Sequence, residues 1–171
     1  MAQFIAENFP GHLDRWSPPP PAGFDTPDHW VPRLARAAEE FSQGSAARFV
    51  LQPLGPADGP IIGTANYTNV VRGALHACHL GYQVARSHEG LGLMHEALLA
   101  CNAWVFRDWR LHRIMANYIP HNGRSARLLE RLGFTREGMA KDYLYIDGEW
   151  KDHVLTALVN PDFDPAWLAS A

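Results

Sequence analysis

The stretch Ser87-His-Glu-Gly-Leu-Gly-Leu-Met-His-Glu-Ala-Leu98 decides the fold, because it joins a predicted strand to a predicted helix through two closely spaced glycines. Apolar residues alternate along 75–85, which is the period of a half-buried strand. From Met94 to about Phe106, apolar side chains recur at helical spacing. Glycines at such a junction let a ligand approach the backbone, and the first amides of a helix favour phosphate. On this loop alone, a tight strand-to-helix turn is the preferred interpretation.

Composition indicates a globular chain. The 171 residues predict one domain, and 47% apolar with 19% charged residues are ordinary values. The net charge of −3 argues against direct nucleic-acid binding, and neither a membrane-spanning run nor a signal-peptide pattern at Met1 is present in the sequence. Cys78 and Cys101 lie on predicted apolar faces, which favours reduced thiols and a cytoplasmic protein. The Cys and His spacing predicts no metal site.

Two helices are predicted before the first strand. A short one spans 2–8 and stops near Pro10, and the proline run in 17–21 forbids helix and central strand, so we expect an extended connector there. The second helix starts at Pro27, or alternatively at Pro32. Thr26 is its predicted cap, and Gly44 is its predicted end. The apolar stripe consists of Trp30, Leu34, Ala37 and Phe41.

The remaining patterns alternate between strand and helix. Strands are predicted at 48–52, 61–68, 75–85, 113–118, 134–146 and 151–158, and a further helix between Asn122 and Gly133. The first three strands form a meander, and Asp147-Gly148 closes the last two as a hairpin. This order predicts an α/β fold, an α+β sandwich around one sheet.

Several runs of sequence carry a resemblance to a known family. They are the loop 89–94, the run His112-Arg-Ile-Met-Ala-Asn-Tyr-Ile-Pro-His-Asn-Gly-Arg-Ser125, and the run 140–158, with 66–73 in addition. The chain resembles the general acetyl-CoA-dependent N-acetyltransferase (GNAT) superfamily, and more narrowly the ribosomal-protein-alanine N-acetyltransferases of the RimJ/RimL type. The resemblance implies a mixed central sheet with helices on both faces, with acetyl-CoA as cofactor and coenzyme A as product.

Two features depart from the family pattern. Ser87 stands where the loop usually opens with Gln or Arg, and Arg86 comes one residue early, so we expect weaker cofactor binding. The chain also opens in a helix where the family begins with a strand. We therefore expect the first edge strand to be missing or the start codon to be placed late. Because an uncovered sheet edge invites pairing with another chain, a monomer or an edge-mediated dimer is expected.

The resemblance assigns the cofactor site. The pyrophosphate is expected on the loop amides, and the pantetheine arm between the strands at 75–85 and 113–118. A free amide near Tyr82 or Val84 would polarise the thioester carbonyl. The loop residues assigned to the cofactor are Glu89, Gly90, Leu91, Gly92, Leu93 and Met94.

Asn122 and Ser125 form Asn-x-x-Ser at a predicted helix start. Both residue types are common there for helix reasons alone, Asn as a cap and Ser in the first turn. The resemblance implies in addition that Asn122 binds the cofactor arm and that the Ser125 hydroxyl serves the leaving sulfur as a catalytic group.

The general base is the open question. The resemblance places a Glu at about Leu144, which cannot act, and the nearest carboxylate is Asp142, expected on the same face of the strand. Asp142 is equally well interpreted as a surface partner of Lys141. Asn117, with Tyr118, is the alternative, because these residues could order a water beside the amine. Among the other motif residues, we expect Tyr143 and Tyr145 to serve in packing. We expect Asp152 and His153 to brace the last hairpin.

The resemblance implies an enzyme that acetylates the N-terminal alanine amine of a ribosomal protein. A neutral-to-acidic surface is compatible with such a basic acceptor. One alternative is another protein N-terminus or a small primary amine as acceptor. The other is a non-catalytic acyl-CoA-binding regulator that has kept the fold.

Overall fold

A computed structural model of the chain describes residues 1–56 and 58–170, with Pro10, Ala169 and Ser170 described by their backbone alone. The helices within these residues are α1 (Ala2–Asn8), α2 (Pro27–Ser42), α3 (Leu93–Asp108) and α4 (Gly123–Arg131). The strands are β1 (Ala47–Leu51), β2 (Gly63–Val71), β3 (Ala77–Val84), β4 (Arg113–Tyr118), β5 (Thr135–Ile146) and β6 (Glu149–Val159). Shorter helical segments are a π-helix (Phe9–Leu13) and two 3-10 turns (Arg86–His88 and Pro165–Ser170).

The strands form one mixed sheet in the order β1-β2-β3-β4-β6-β5. Only β3 and β4 pair in parallel, while the other neighbours are antiparallel. The predicted meander, the closing hairpin and the mixed sheet are confirmed, with strand boundaries moved by at most three residues. The described chain opens on α1, and β1 at one edge of the sheet is its first strand.

The parallel pair β3 and β4 separates soon after it begins. Their register joins Ala77 to Arg113, Cys78 to Ile114 and His79 to Met115, and no further pair joins them in the described chain. Both strands nevertheless continue, β3 for five more residues and β4 for three. A gap therefore opens between them toward their carboxyl ends, as the resemblance implied.

The two faces of the sheet are covered by different parts of the chain. Cys78 and Leu80 of β3 pack in one hydrophobic cluster with Leu98 of α3 and Leu129 of α4. Because side chains alternate along a strand, the neighbouring Gln83 points to the opposite face. There its amide donates to the Ser17 hydroxyl at 2.9 Å. On the same side, Phe4 of α1 and Leu13 of the π-helix cluster with Ala85, two residues after Gln83, so helices on both faces are confirmed.

The N-terminal segment is fastened to the end of β3. Asn8 Oδ1 accepts from the Arg86 amide at 2.9 Å, and His12 Nε2 donates to the Val84 carbonyl at 3.1 Å. The predicted helix over 2–8 is confirmed, but the chain does not leave helical structure near Pro10, because it continues from Asn8 directly into the π-helix. Proline is tolerated there since the first turn of a helix does not use its amide.

Helix α2 begins at Pro27 and carries Pro32 in its interior, so the earlier of the two predicted starts is correct. Thr26 makes no side-chain cap bond. The expected packing of the apolar stripe is wrong in part, because no α2 residue is fully buried, and Leu34 and Phe41 are 59% and 46% exposed. Amphipathic spacing predicted the helix correctly, but Leu34 and Ala37 line an open cleft, and it is Phe41 that reaches the core, by stacking on Trp104.

Helix α4 starts with a side-chain cap. Asn122 Oδ1 accepts from the Ser125 amide at 3.1 Å, as the Asn-x-x-Ser spacing predicts. Leu129 is buried against the sheet, and Gly133 follows the helix with a φ of +85°. The cap therefore sets where the helix begins beside β4.

Replacing the cap should destabilise the protein. We expect Asn122→Ala to lower the free energy of unfolding by about 1 kcal/mol, because the Ser125 amide loses its acceptor. Asn122→Asp, which keeps an acceptor oxygen, is the matched control and should unfold close to wild type. Urea unfolding checks both, and an alanine variant as stable as wild type would contradict the cap.

The two thiols should differ in reactivity. Cys78 is fully buried, and burial raises its pKa to about 12, while Cys101 is half-buried with a pKa raised by the same cause. Because the thiolate is the reactive form, we expect iodoacetamide at pH 8 to spare Cys78 in the folded protein and to modify both thiols in urea. Intact-mass analysis with peptide mapping measures this, and rapid native labelling of Cys78 would refute the packing.

Candidate active site

An open cleft of about 1920 Å³ lies at the gap between β3 and β4. The end of β3, the glycine loop, the first turn of α4 and the N-terminal segment all contribute to its lining. The cleft lies at the carboxyl ends of two parallel strands, where open α/β sheets place their ligands.

The glycine loop presents its backbone to this cleft. Gly90 and Gly92 have φ angles of +76° and +79°, and a Cβ added at either would contact no other atom within 4 Å. Gly92 is the N-cap of α3 and provides no side-chain bond, so the first amides of the helix are left for a ligand. Of the loop residues assigned to the cofactor, Leu91 turns its side chain outward, being 65% exposed.

Two backbone amides of β3 face the gap. A strand residue points its N–H and C=O to the same edge, and the Val84 carbonyl bonds His12 on the side away from β2. The amides of Val84 and, two residues earlier, Tyr82 therefore point into the gap. Pairing with β4 has already ended at His79, so these amides are open to a ligand.

Tyr82 and Ser125 meet across the gap. The Tyr82 hydroxyl lies 2.5 Å from Ser125 Oγ, which joins β3 to the first turn of α4. Burial raises the pKa of Tyr82 to about 12, so the phenol keeps its proton at neutral pH. The first turn of α4, where Ser125 lies, is the positive end of the helix dipole, which favours a negative charge beside it.

An ion pair links the glycine loop to α4. Arg124 in the first turn of α4 contacts the carboxylate of Glu89 at the start of the loop. Ser87, the departure from the family pattern, is hydrogen-bonded to His88 Nδ1 at 2.9 Å and does not line the cleft. Both contacts lie at the start of the loop, before Gly90.

Asn117 reaches the cleft from the end of β4. Its amide donates to the Tyr143 hydroxyl at 3.1 Å, and the Tyr143 ring lies 5.3 Å from that of His153. Tyr143, to which the sequence pattern assigned only packing, is therefore a polar neighbour of a candidate site residue. Asn117, Tyr143 and His153 all line the cleft.

Asp142 is not brought to the site. The prediction that it shares a face with Leu144 is wrong, because the register of β5 breaks between Ala140 and Leu144, and Asp142 has a φ of +47°. Residues 141–143 are therefore out of the ladder, and the strict alternation of side chains does not apply to them. Leu144 lines the cleft, whereas Asp142 is exposed outside it and its amide donates to Asp152 at 3.1 Å. Asp152 also pairs with Lys141, which agrees with the predicted bracing.

Sequence reasoning missed His12. It lies 72 residues from Val84, its bonding partner, and no local pattern marks it. The structural signal is that His12 is buried in the π-helix. Such segments are rare in proteins overall, but those that occur are often at functional sites. Among the described residues, no group of three or more His, Cys, Asp or Glu is arranged to hold a metal ion, and no helix is long and apolar enough to cross a membrane.

Comparisons with known proteins agree with this geometry. The model of the acetyltransferase (GNAT) domain matches residues 10–135. The chain is 50% identical over 165 residues to the [ribosomal protein uS5]-alanine N-acetyltransferase of Escherichia coli K12, covering 96% of this chain and 84% of that protein.

Solved structures give the same result. The ribosomal-protein-S5-alanine acetyltransferase of Vibrio fischeri superposes with a TM-score of 0.91 at 40% identity, covering 96% of this chain and 88% of that one. Mycobacterium smegmatis RimJ, solved with a CoA-disulfide, has a TM-score of 0.83 at 30% identity, covering 99% and 81%. The predicted membership is confirmed: the chain belongs to the GNAT family of N-acetyltransferases.

Proposed function

We propose that this protein transfers acetyl from acetyl-CoA to the N-terminal alanine amine of a ribosomal protein. The observation that carries the proposal is the 50% identity, over nearly the whole chain, to an enzyme named for that reaction. The cleft supports it with residues suited to each part of the chemistry. A cytoplasmic location and a monomer or edge-mediated dimer belong to the same proposal.

The residues present fit coenzyme A. The uncapped start of α3 and the open space above Gly90 and Gly92 suit a pyrophosphate bound to the amides from Glu89 to Met94. Basic side chains around this end of the cleft suit further phosphate charge; they are Arg86, Arg124, Arg127 and Arg131. Asn122 would contact the cofactor arm beside its capping role.

The chain's own residues would then act on the thioester that acetyl-CoA supplies. The amides of Tyr82 and Val84 donate to the acyl oxygen, where negative charge develops during transfer. Ser125 Oγ donates a hydrogen bond to the leaving sulfur, and the first turn of α4 stabilises the charge there. These groups come from one strand, β3, and one helix, α4, so their spacing is set by the sheet and by the Asn122 cap.

Deprotonation of the acceptor is assigned to water held by Asn117. An α-amine titrates near ~8, so a weak acceptor is sufficient. Asp142 has no part in this proposal, because its side chain lies outside the cleft. Leu144, at the position of the family's acidic residue, instead lines the cleft as an apolar wall.

The acceptor is tested with peptides that share one basic ribosomal-type tail and begin with Ala, Ser or Met. Intact-mass analysis after incubation with acetyl-CoA should show a single acetyl shift on the alanine peptide. We expect Ser125→Ala to lower kcat on the order of 100-fold, because the leaving sulfur loses its hydrogen bond.

Transfer to a small amine in preference to every peptide would indicate that the acceptor is a small primary amine and not a ribosomal protein. Cofactor binding without transfer to any amine would instead indicate the regulator. An unchanged rate in Ser125→Ala would reject the assignment of this serine.

The glycine loop gives a separate prediction for cofactor binding. Gly92→Ala forces a left-handed conformation on alanine at a cost of about 1–2 kcal/mol, which should shift the loop amides. We expect the Kd for coenzyme A to rise about tenfold. Isothermal titration calorimetry measures this.

Gly73→Ala is the matched control. Gly73 has a φ of +76°, equally open space around it, and a place outside the cleft lining. It should lose similar stability and keep the wild-type Kd. Equal affinities in the two variants would contradict the loop assignment.

A further inference from the structure

The contact between Tyr82 and Ser125 raises the question of which hydroxyl donates. Both can donate and accept, and the two oxygens are 2.5 Å apart. A phenol is the stronger acid and therefore the better donor. Within the described chain Tyr82 is the polar partner of Ser125 Oγ, so the direction of this one bond decides where the serine hydrogen points.

Neighbouring contacts keep both partners in place. The Ser125 amide is bound to Asn122 Oδ1 at 3.1 Å, which fixes the first turn of α4. The Tyr82 ring packs against the hydrophobic cluster of the sheet. The same residue supplies a backbone amide to the gap, while its hydroxyl contacts the first turn of α4.

We propose that the Tyr82 hydroxyl is a positioning group for acetyl transfer, donating to Ser125 Oγ so that the serine O–H is directed at the departing sulfur. The inference rests on the proposed function, to which it adds a second hydroxyl. It assigns to Tyr82 a side-chain role besides the backbone role that the family implies.

The step balances without another reactant. The amine nitrogen forms a bond to the acyl carbon, and the bond from that carbon to sulfur breaks with its electron pair on sulfur. Ser125 Oγ donates a hydrogen bond to that sulfur, and Tyr82 Oη donates to Ser125 Oγ. The amine gives its surplus proton to water, and water returns one to the released sulfur, so both hydroxyls end unchanged.

Phenylalanine at position 82 removes the hydroxyl and keeps the ring. We expect Tyr82→Phe to lower kcat about tenfold, the size of one lost hydrogen bond, with the KM for acetyl-CoA unchanged. Tyr145→Phe, at an exposed tyrosine of the β5–β6 hairpin outside the cleft lining, is the matched control and should keep wild-type kinetics.

Two readouts separate positioning from packing. In the Ser125→Ala background, Tyr82→Phe should have no further effect, since its target is gone. With the selenoester analogue of acetyl-CoA, whose selenolate leaves more readily, the defect of Tyr82→Phe should shrink to about twofold.

Three results would overturn the inference. Equal kcat in wild type and Tyr82→Phe is one, additive losses in the double variant are the second, and a defect of equal size with the selenoester is the third. The wild type is assayed first with the alanine peptide. Absence of transfer there would overturn the proposed function and this inference together, whereas transfer unaffected by Tyr82→Phe overturns the inference alone.

Discussion

The short parallel pairing of β3 with β4 is the constraint on which the site depends. Three residue pairs join the strands, and beyond them both strands continue without pairing to each other. A sheet that stayed paired would use the amides of Tyr82 and Val84 for its own ladder. Because the strands diverge, the same amides become donors for a ligand, and the gap determines where the glycine loop, α4 and the N-terminal segment must lie.

Backbone groups released by this divergence need other partners, and side chains from distant parts of the chain supply some of them. His12 satisfies the Val84 carbonyl, and Asn8 accepts from the Arg86 amide just beyond the strand. Below the gap, Cys78 and Ile114 are fully buried and hold the paired ends together. The N-terminal helices therefore stabilise an opening in the sheet as well as covering one of its faces.

Local patterns predicted the elements, because strand alternation, helix spacing and the Asn-x-x-Ser cap each act over a few residues, whereas the cofactor site was implied by the family resemblance. They failed where a distant contact or a single backbone angle determines the position of a residue. The bulge at Asp142 left that residue exposed and outside the cleft lining, and the bond from His12 crosses 72 residues. The stripe on α2 was recognised correctly as a helix signal, but spacing does not say whether an apolar face covers the core or the rim of a cleft.

The charges of the cleft bear on the kind of amine that it accepts. Among the described lining residues the carboxylates are Glu40 and Glu89, and each is paired with arginine. Neither is free to act as a base, and Leu144 is apolar. A lysine side chain, titrating near ~10.4, would need a strong base, because only about one in a thousand is uncharged near neutral pH. An α-amine, near ~8, is uncharged often enough for water beside Asn117 to suffice. Among the described lining residues this leaves water, or an imidazole such as that of His153, to take the proton, and either suits an N-terminal amine better than a lysine.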